Sequence, residues 1–200
     1  MANRDHIVQG QKDYPLSGEG EQQINVLIGH WSSQGYRFDL AITSPLLRAR
    51  RTAERIAEAF SLPLEEDKLW MERNLGEAQG NHYTETLEWY SDRGNASPFE
   101  EVFNSGESEW QLHIRASHAI EQMTDRSPGM YLIVSHGGFL GAVLRAIFGL
   151  APSSSRARPL RLSFANTGFS ELRYDHVEAR WYIDSLNSRP HLINQTGAAS

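Results

Sequence analysis

The chain has 200 residues, 40% of them hydrophobic and 22% charged, with a net charge of −6, which suits one globular domain with a sizeable core. The acidic balance gives no support to nucleic-acid binding, and the lack of cysteine leaves no disulfide framework and no thiolate chemistry. No apolar run approaches the roughly 20 residues of a membrane span, and the polar start is neither a signal nor a transit peptide, so a cytoplasmic protein is expected.

Ser17 precedes a helical stretch expected over residues 19–33. Asp39-Leu40-Ala41-Ile42-Thr43-Ser44 reads as a short buried strand bounded by polar residues. Ser44-Pro45 then opens a helix, with serine as the N-cap and proline at the first helical position, where its missing N–H had no partner to lose. Leu46, Ala49, Ala53, Ile56, Ala57 and Phe60 recur at helical spacing, which makes one face core, and Leu62-Pro63 ends the helix. Residues 68–80 show no clear period and are expected as a short strand plus loop. Residues 81–105 are rich in turn formers and aromatics, among them Trp89, Tyr90, Phe99 and Phe103, and read as a long excursion with one helical piece.

Ser108 and Gln111 form a capping box ahead of the stripe Leu112, Ala116, Ala119, Ile120 and Met123. The strongest strand, over residues 129–135, runs straight into His136-Gly137-Gly138 and an apolar helix through Phe148, closed by Gly149. Later strands are expected over residues 160–164, 169–174 and 180–184, with Asp175-His176 as a hairpin turn. Residues 194–200 are expected to fray. Alternating strands and helices predict a single domain over residues 1–193, a three-layer α/β/α sandwich with a mainly parallel central sheet.

In open α/β sheets, ligands bind beyond the carboxyl ends of the strands. Two such strand ends carry ionisable residues here: the one leading to Arg48, and the one leading to His136 and Gly137. Each precedes a helix N-terminus, whose free N–H groups make an anion site, and the glycines after His136 allow a close approach. A phosphate is the simplest such anion. Blander roles exist for both: a strand-end histidine can be structural, and Arg48, Arg51 and Arg55 lie opposite the apolar stripe of their helix. Positive charge is local elsewhere too, with Arg50 beside that face and Arg156, Arg158 and Arg161 farther on.

Several segments stand in one order along the chain: NRDHIVQGQKDYPLSGEGEQQ, SPLLRARRTAERIAE, LWMERNLGEAQG, GES at residues 106–108, VSHGGFLGAVLR, and NTGFSELRYD with WYIDSLNSRPHL. Together they resemble the histidine phosphatase superfamily, the phosphoglycerate-mutase-like enzymes, over nearly the whole chain. The resemblance implies transfer of a phosphoryl group onto a histidine and then to water or another acceptor, with no cofactor. It implies that Arg48 binds the equatorial phosphoryl oxygens and that His136 donates a hydrogen bond to them. Glu72 would protonate the leaving oxygen and later activate water, with Glu77 as its nearby rival. Asn3, Gln9 and Gly10 would form the phosphate-side loop, and Gly137 would face the phosphate.

One departure is large. The family opens with a hydrophobic strand followed by Arg-His-Gly, which carries the nucleophile and the first arginine. Neither precedes Asn3 here, so the chain is expected to lack that strand and that histidine. His6 is no substitute by register. The readings left open are a phosphomonoester hydrolase whose nucleophile is missing from this chain, a non-catalytic binder of phosphate esters, and a phosphoglycerate mutase. A small phosphorylated metabolite is the expected partner in each; the oligomeric state is not readable. An esterase would need a Gly-x-Ser-x-Gly elbow and a zinc hydrolase a His-Glu-x-x-His helix; the sequence contains neither.

Overall fold

The computed structural model describes residues 6–92, 97–153, 160 and 162–193. Three parallel strands form one sheet: β1 (Leu40–Thr43), β2 (Leu64–Glu66) and β3 (Tyr131–Val134), in the order β2-β1-β3. Ala41 lies opposite Leu64 on one side and Leu132 on the other. Helices cover both faces. Side chains alternate across a strand, so Ala41 and Leu132 pack with Ile24, Leu27 and Trp31 of α1 (Gly18–Ser33) and with Ile56 and Ala57 of α2 (Leu47–Phe60). Ile42 packs on the opposite face, with Leu112, Ala116 and Ala119 of α4 (Glu109–Thr124) and Phe139, Ala142 and Val143 of α5 (Gly137–Ile147). The excursion holds α3 (Tyr83–Asp92), and α6 (Pro190–Ile193) follows the last strand. The expected α/β/α layering is present.

Several local expectations hold. Ser17 caps α1 by accepting from Gly20 N–H, and Ser108 and Gln111 complete a reciprocal capping box at α4. Others are corrected. The second helix begins at Leu47 and not at Pro45, with Leu46 extended at its N-cap and no side-chain cap. Residues 68–80 contain no strand: they form 3₁₀ turns at Lys68–Trp70 and Gly76–Ala78, the first held by Asp67 accepting from Leu69 N–H. The nearby strand is β2, too short for its pattern to show. Residues 162–164 are irregular, not a strand. The cluster Arg156, Arg158 and Arg161, and residues 194–200, which were expected to fray, lie outside the described residues.

The remaining strands, β4 (Phe169–Asp175) and β5 (Arg180–Ser188), pair antiparallel with each other, apart from the parallel sheet. Their hairpin turns after Asp175, as expected, with Asp175 Oδ1 accepting from Val177 and Glu178 N–H. Phe169 packs edge-on against Trp31 and Glu171 accepts from the Tyr36 hydroxyl, which anchors the hairpin to the α1 side.

Among the described residues no strand fills the space between β3 and β4. A cavity of about 1640 Å³ lies there. Its walls include Leu132 and Val134 of β3, Phe169 and Leu172 of β4, and Trp31 and Val143 from the two helical layers. It runs from Met130, ahead of β3, to His136, beyond its carboxyl end. At about 3.3 Å per residue that is about 20 Å, the length of an ordinary strand. Small-molecule pockets are smaller, about 300–1,000 Å³.

Candidate active site

Thr43 and Val134 are register partners, so β1 and β3 release their chains side by side, at Ser44 and at Ser135-His136. Ser135 Oγ donates to Trp70 O at 2.7 Å, which draws the loop carrying Glu72 to the same edge. Arg48, Glu72, His136 and Gly137 all line the carboxyl end of the cavity, together with Gln9 and Gly10 from the 7–13 loop. The sequence reading gathered these residues from four distant segments, and the fold brings them together. Asn3 lies outside the described residues. Glu77 does not line the cavity; its carboxylate accepts from Asn104 Nδ2 at 2.7 Å on the exposed side. His6 is exposed beside His82 and does not line it either.

His136 is buried, and its Nε2 lies 2.8 Å from Ser44 Oγ. Burial, then the fields of Arg48 and Arg115, push its imidazole down to about 3. The ring is therefore neutral at pH 7, with one donor and one acceptor nitrogen. Ser44 Oγ already accepts from Leu46 N–H at 3.3 Å, and its own proton has Nε2 as acceptor. The network thus assigns the ring proton to Nδ1, leaving a donor for an anion. Sequence reasoning gave Ser44 a capping role and missed this one; nothing in a strand-end serine signals a histidine 92 residues away.

The depressed imidazole sets a pH dependence. The unfolded chain takes up a proton near pH 6.5 and the folded one only near 3, so the unfolded state binds more protons between those values. Stability is expected to fall as pH drops through that window, by on the order of a few kcal/mol. Urea unfolding of His136→Asn should show a shallower loss there than the parent; matching curves would mean the imidazole is not held neutral.

Arg48 donates through Nη2 to Gly10 O at 2.8 Å and through Nη1 to Lys12 O at 3.1 Å, fastening the 7–13 loop over the site. Gly10 sits at φ +51°, and a Cβ there would overlap the Gln79 side chain, so glycine is required. Burial lowers the Arg48 guanidinium from its ordinary value, opposed by Glu72 and Asp13; it stays charged.

The two helix N-termini correct one expectation. They do not stand open for an anion, because carboxylates of the chain occupy them. Asp13 Oδ1 accepts from Leu47 N–H at 2.8 Å at the start of α2. Glu72 Oε1 accepts from Phe139 N–H at 2.9 Å and from Arg73 N–H at 2.8 Å, and its Oε2 accepts from Gly138 N–H at 3.1 Å at the start of α5. First-turn N–H groups have no intrahelical acceptor and their dipole favours negative charge, so an acidic side chain in reach is bound there. The glycine at 138 serves this contact: a Cβ would come within 2.5 Å of Glu72 Oε1. What remains for an external anion is Arg48, the His136 imidazole and whatever Glu72 yields.

Residues 1–189 match the histidine phosphatase superfamily (branch 1). The chain belongs to that superfamily. Two relatives are each 30% identical to this chain. The uncharacterized phosphatase PhoE of Bacillus subtilis aligns over 92% of this chain and 87% of its own length. The probable phosphoglycerate mutase GpmB of Escherichia coli aligns over 95% and 89%. A putative alpha-ribazole-5'-P phosphatase from Escherichia coli superposes with a TM-score of 0.80 at 24% identity, covering 94% of this chain and 91% of that one. That likeness confirms the phosphoglycerate-mutase-like α/β fold. No described helix of this superfamily member is long and apolar enough to cross a membrane.

Proposed function

We propose that this domain, residues 1–193, is the acid- and phosphate-handling part of a cytoplasmic phosphomonoester hydrolase that works without a cofactor through a phosphohistidine. The observation that carries the reading is the strand-sized groove whose carboxyl end opens on Arg48, Glu72 and His136. A strand lying parallel to β3 in that groove would deliver the residues after it to those three side chains. We read the missing nucleophile as the histidine of an Arg-His-Gly placed there, on polypeptide outside these 200 residues.

In that arrangement the nucleophile attacks phosphorus in line, and Arg48 and Nδ1–H of His136 neutralise the equatorial oxygens as charge builds. Glu72 gives its proton to the departing ester oxygen. It then takes one from the water that attacks the phosphohistidine, which releases phosphate and frees the histidine. Gln9, Gly10 and Gly137, with Asn3, would border the phosphate, and a small phosphorylated metabolite would be the substrate.

The test is covalent labelling. Purified chain and a form extended by an apolar strand ending in Arg-His-Gly are each exposed to a reactive phosphodonor and quenched in base. Mass spectrometry then looks for an acid-labile, base-stable phosphate. The extended form should carry a stoichiometric label on the added histidine and the 200-residue chain none, since in-line attack needs a nucleophile held at near-attack distance. An unlabelled but folded extended form overturns the proposal, and so does a label on His6 or His136 of the shorter chain.

A further inference from the structure

We infer that Arg115, clamped by Glu107, is the positioning residue that sets where the Glu72 carboxylate stands. The inference rests on the reading of Glu72 as the proton donor. Residues 69–74 cross the site edge with no sheet partner among the described residues, so their carbonyls need donors from elsewhere. One guanidinium supplies three of the six. Arg115 Nη1 donates to Leu69 O and Met71 O, both at 2.7 Å, and Nη2 donates to Glu72 O at 3.3 Å.

The same guanidinium is gripped from behind. Its Nε and Nη2 donate to Glu107 Oε1 and Oε2 at 2.7 Å each, a two-point pairing that fixes orientation as well as charge. Glu107 Oε2 also accepts from Asn74 N–H at 2.8 Å, two residues beyond Glu72. The guanidinium carbon stands 4.1 Å from the centre of the Phe139 ring, and Phe139 N–H is one of the donors holding Glu72 Oε1. Arg115 thus touches both the loop that carries the carboxylate and the residue that receives it.

Two further contacts reinforce the loop from either side. Arg73 pairs with Glu109 and donates to Glu107 O, and Gln11 Nε2 donates to Glu72 O at 2.8 Å. A buried ion pair is often only structural. Here, however, every acceptor of Arg115 other than Glu107 lies on the few residues leading to the acid. A lysine could keep the charge, but not the planar five-donor fork that serves several acceptors at once.

The test is nuclear magnetic resonance on the 200-residue chain, reading the Gly138 and Phe139 amides, whose protons point at Glu72. Arg115→Lys is compared with Glu72→Ala, which leaves no acceptor for either amide, and with the double variant. In Arg115→Lys both amide resonances should move towards their Glu72→Ala positions and exchange with solvent at least about tenfold faster, while core amides such as Ile42 and Leu112 hold. In the Glu72→Ala background the Arg115→Lys change should largely vanish, because the side chain it positions is gone. Should Arg115→Lys fail to fold, Glu107→Gln loosens the same guanidinium from its other side and is read the same way. Unmoved amides in a folded variant, or an equal shift with and without Glu72, make Arg115 purely structural and overturn the inference. These readouts need no turnover, so their failure is distinct from failure of the phosphohistidine label.

Discussion

Extending the chain by an apolar strand that fills the groove between β3 and β4 is expected to raise its melting temperature by about 10–20 °C. Among the described residues, β3 has β1 on one side and no strand on the other, and β4 is paired only with β5. Leu132, Val134, Phe169 and Leu172 therefore line a cavity where a sheet interior would normally bury them against a neighbour. Each side chain buried there contributes about 1.5–3 kcal/mol and each new ladder hydrogen bond about 1, against about 1–2 kcal/mol for fixing each added residue. A surplus of about 5 kcal/mol is a large part of a domain's usual stability. It corresponds to a shift of that size for a domain of this length. Calorimetry of the two forms checks it. Equal melting temperatures would mean that this sheet closes without another strand, and would remove the support for placing the nucleophile there.

The two strand ends were legible in the sequence because an apolar run of four to six residues followed by a polar break is a local signal. That signal places Arg48 and His136 at one edge, and the resemblance prefers Glu72 to Glu77; of the two, Glu72 lines the cavity. What was not legible is which groups satisfy which. The α5 N-terminus reads as an open anion site when only Gly137 and Gly138 are in view. Its occupant comes from 66 residues earlier, as the α2 occupant, Asp13, comes from 34 residues earlier. Ser44 shows the same limit in reverse. Its helix-start context suggests a cap alone, but the hydroxyl that accepts from Leu46 N–H also meets a histidine across the sheet, and the helix begins later. β2 escaped notice for a different reason: three residues are too few to show alternation.

In the nucleophile-bearing form, His136→Ala and Arg48→Ala should each lower turnover by about 10²–10³-fold, the usual cost of losing one preorganised donor to a developing oxyanion. The loss should appear on every phosphate ester alike, because both groups face the phosphoryl oxygens and not the leaving group. Glu72→Gln should behave differently. An alkyl alkoxide leaves poorly without a proton, whereas p-nitrophenolate departs unaided, so the acid matters only for the first. The single amide oxygen of Glu72→Gln can take over only one of the two acceptor roles that Oε1 and Oε2 play towards Phe139 and Gly138 N–H at 2.9 and 3.1 Å, so some order at the start of α5 should be lost with the proton, and that loss lowers both substrates alike. Turnover of an alkyl phosphate should therefore fall at least about tenfold further than turnover of p-nitrophenyl phosphate. The measurement is the single-turnover rate constant on both substrates for parent and variant, which isolates phosphoryl transfer from the later hydrolysis. Equal losses on the two esters would show that Glu72 serves only as the plug of the α5 N-terminus. The proton would then have to come from another group, with Glu77 the first to test.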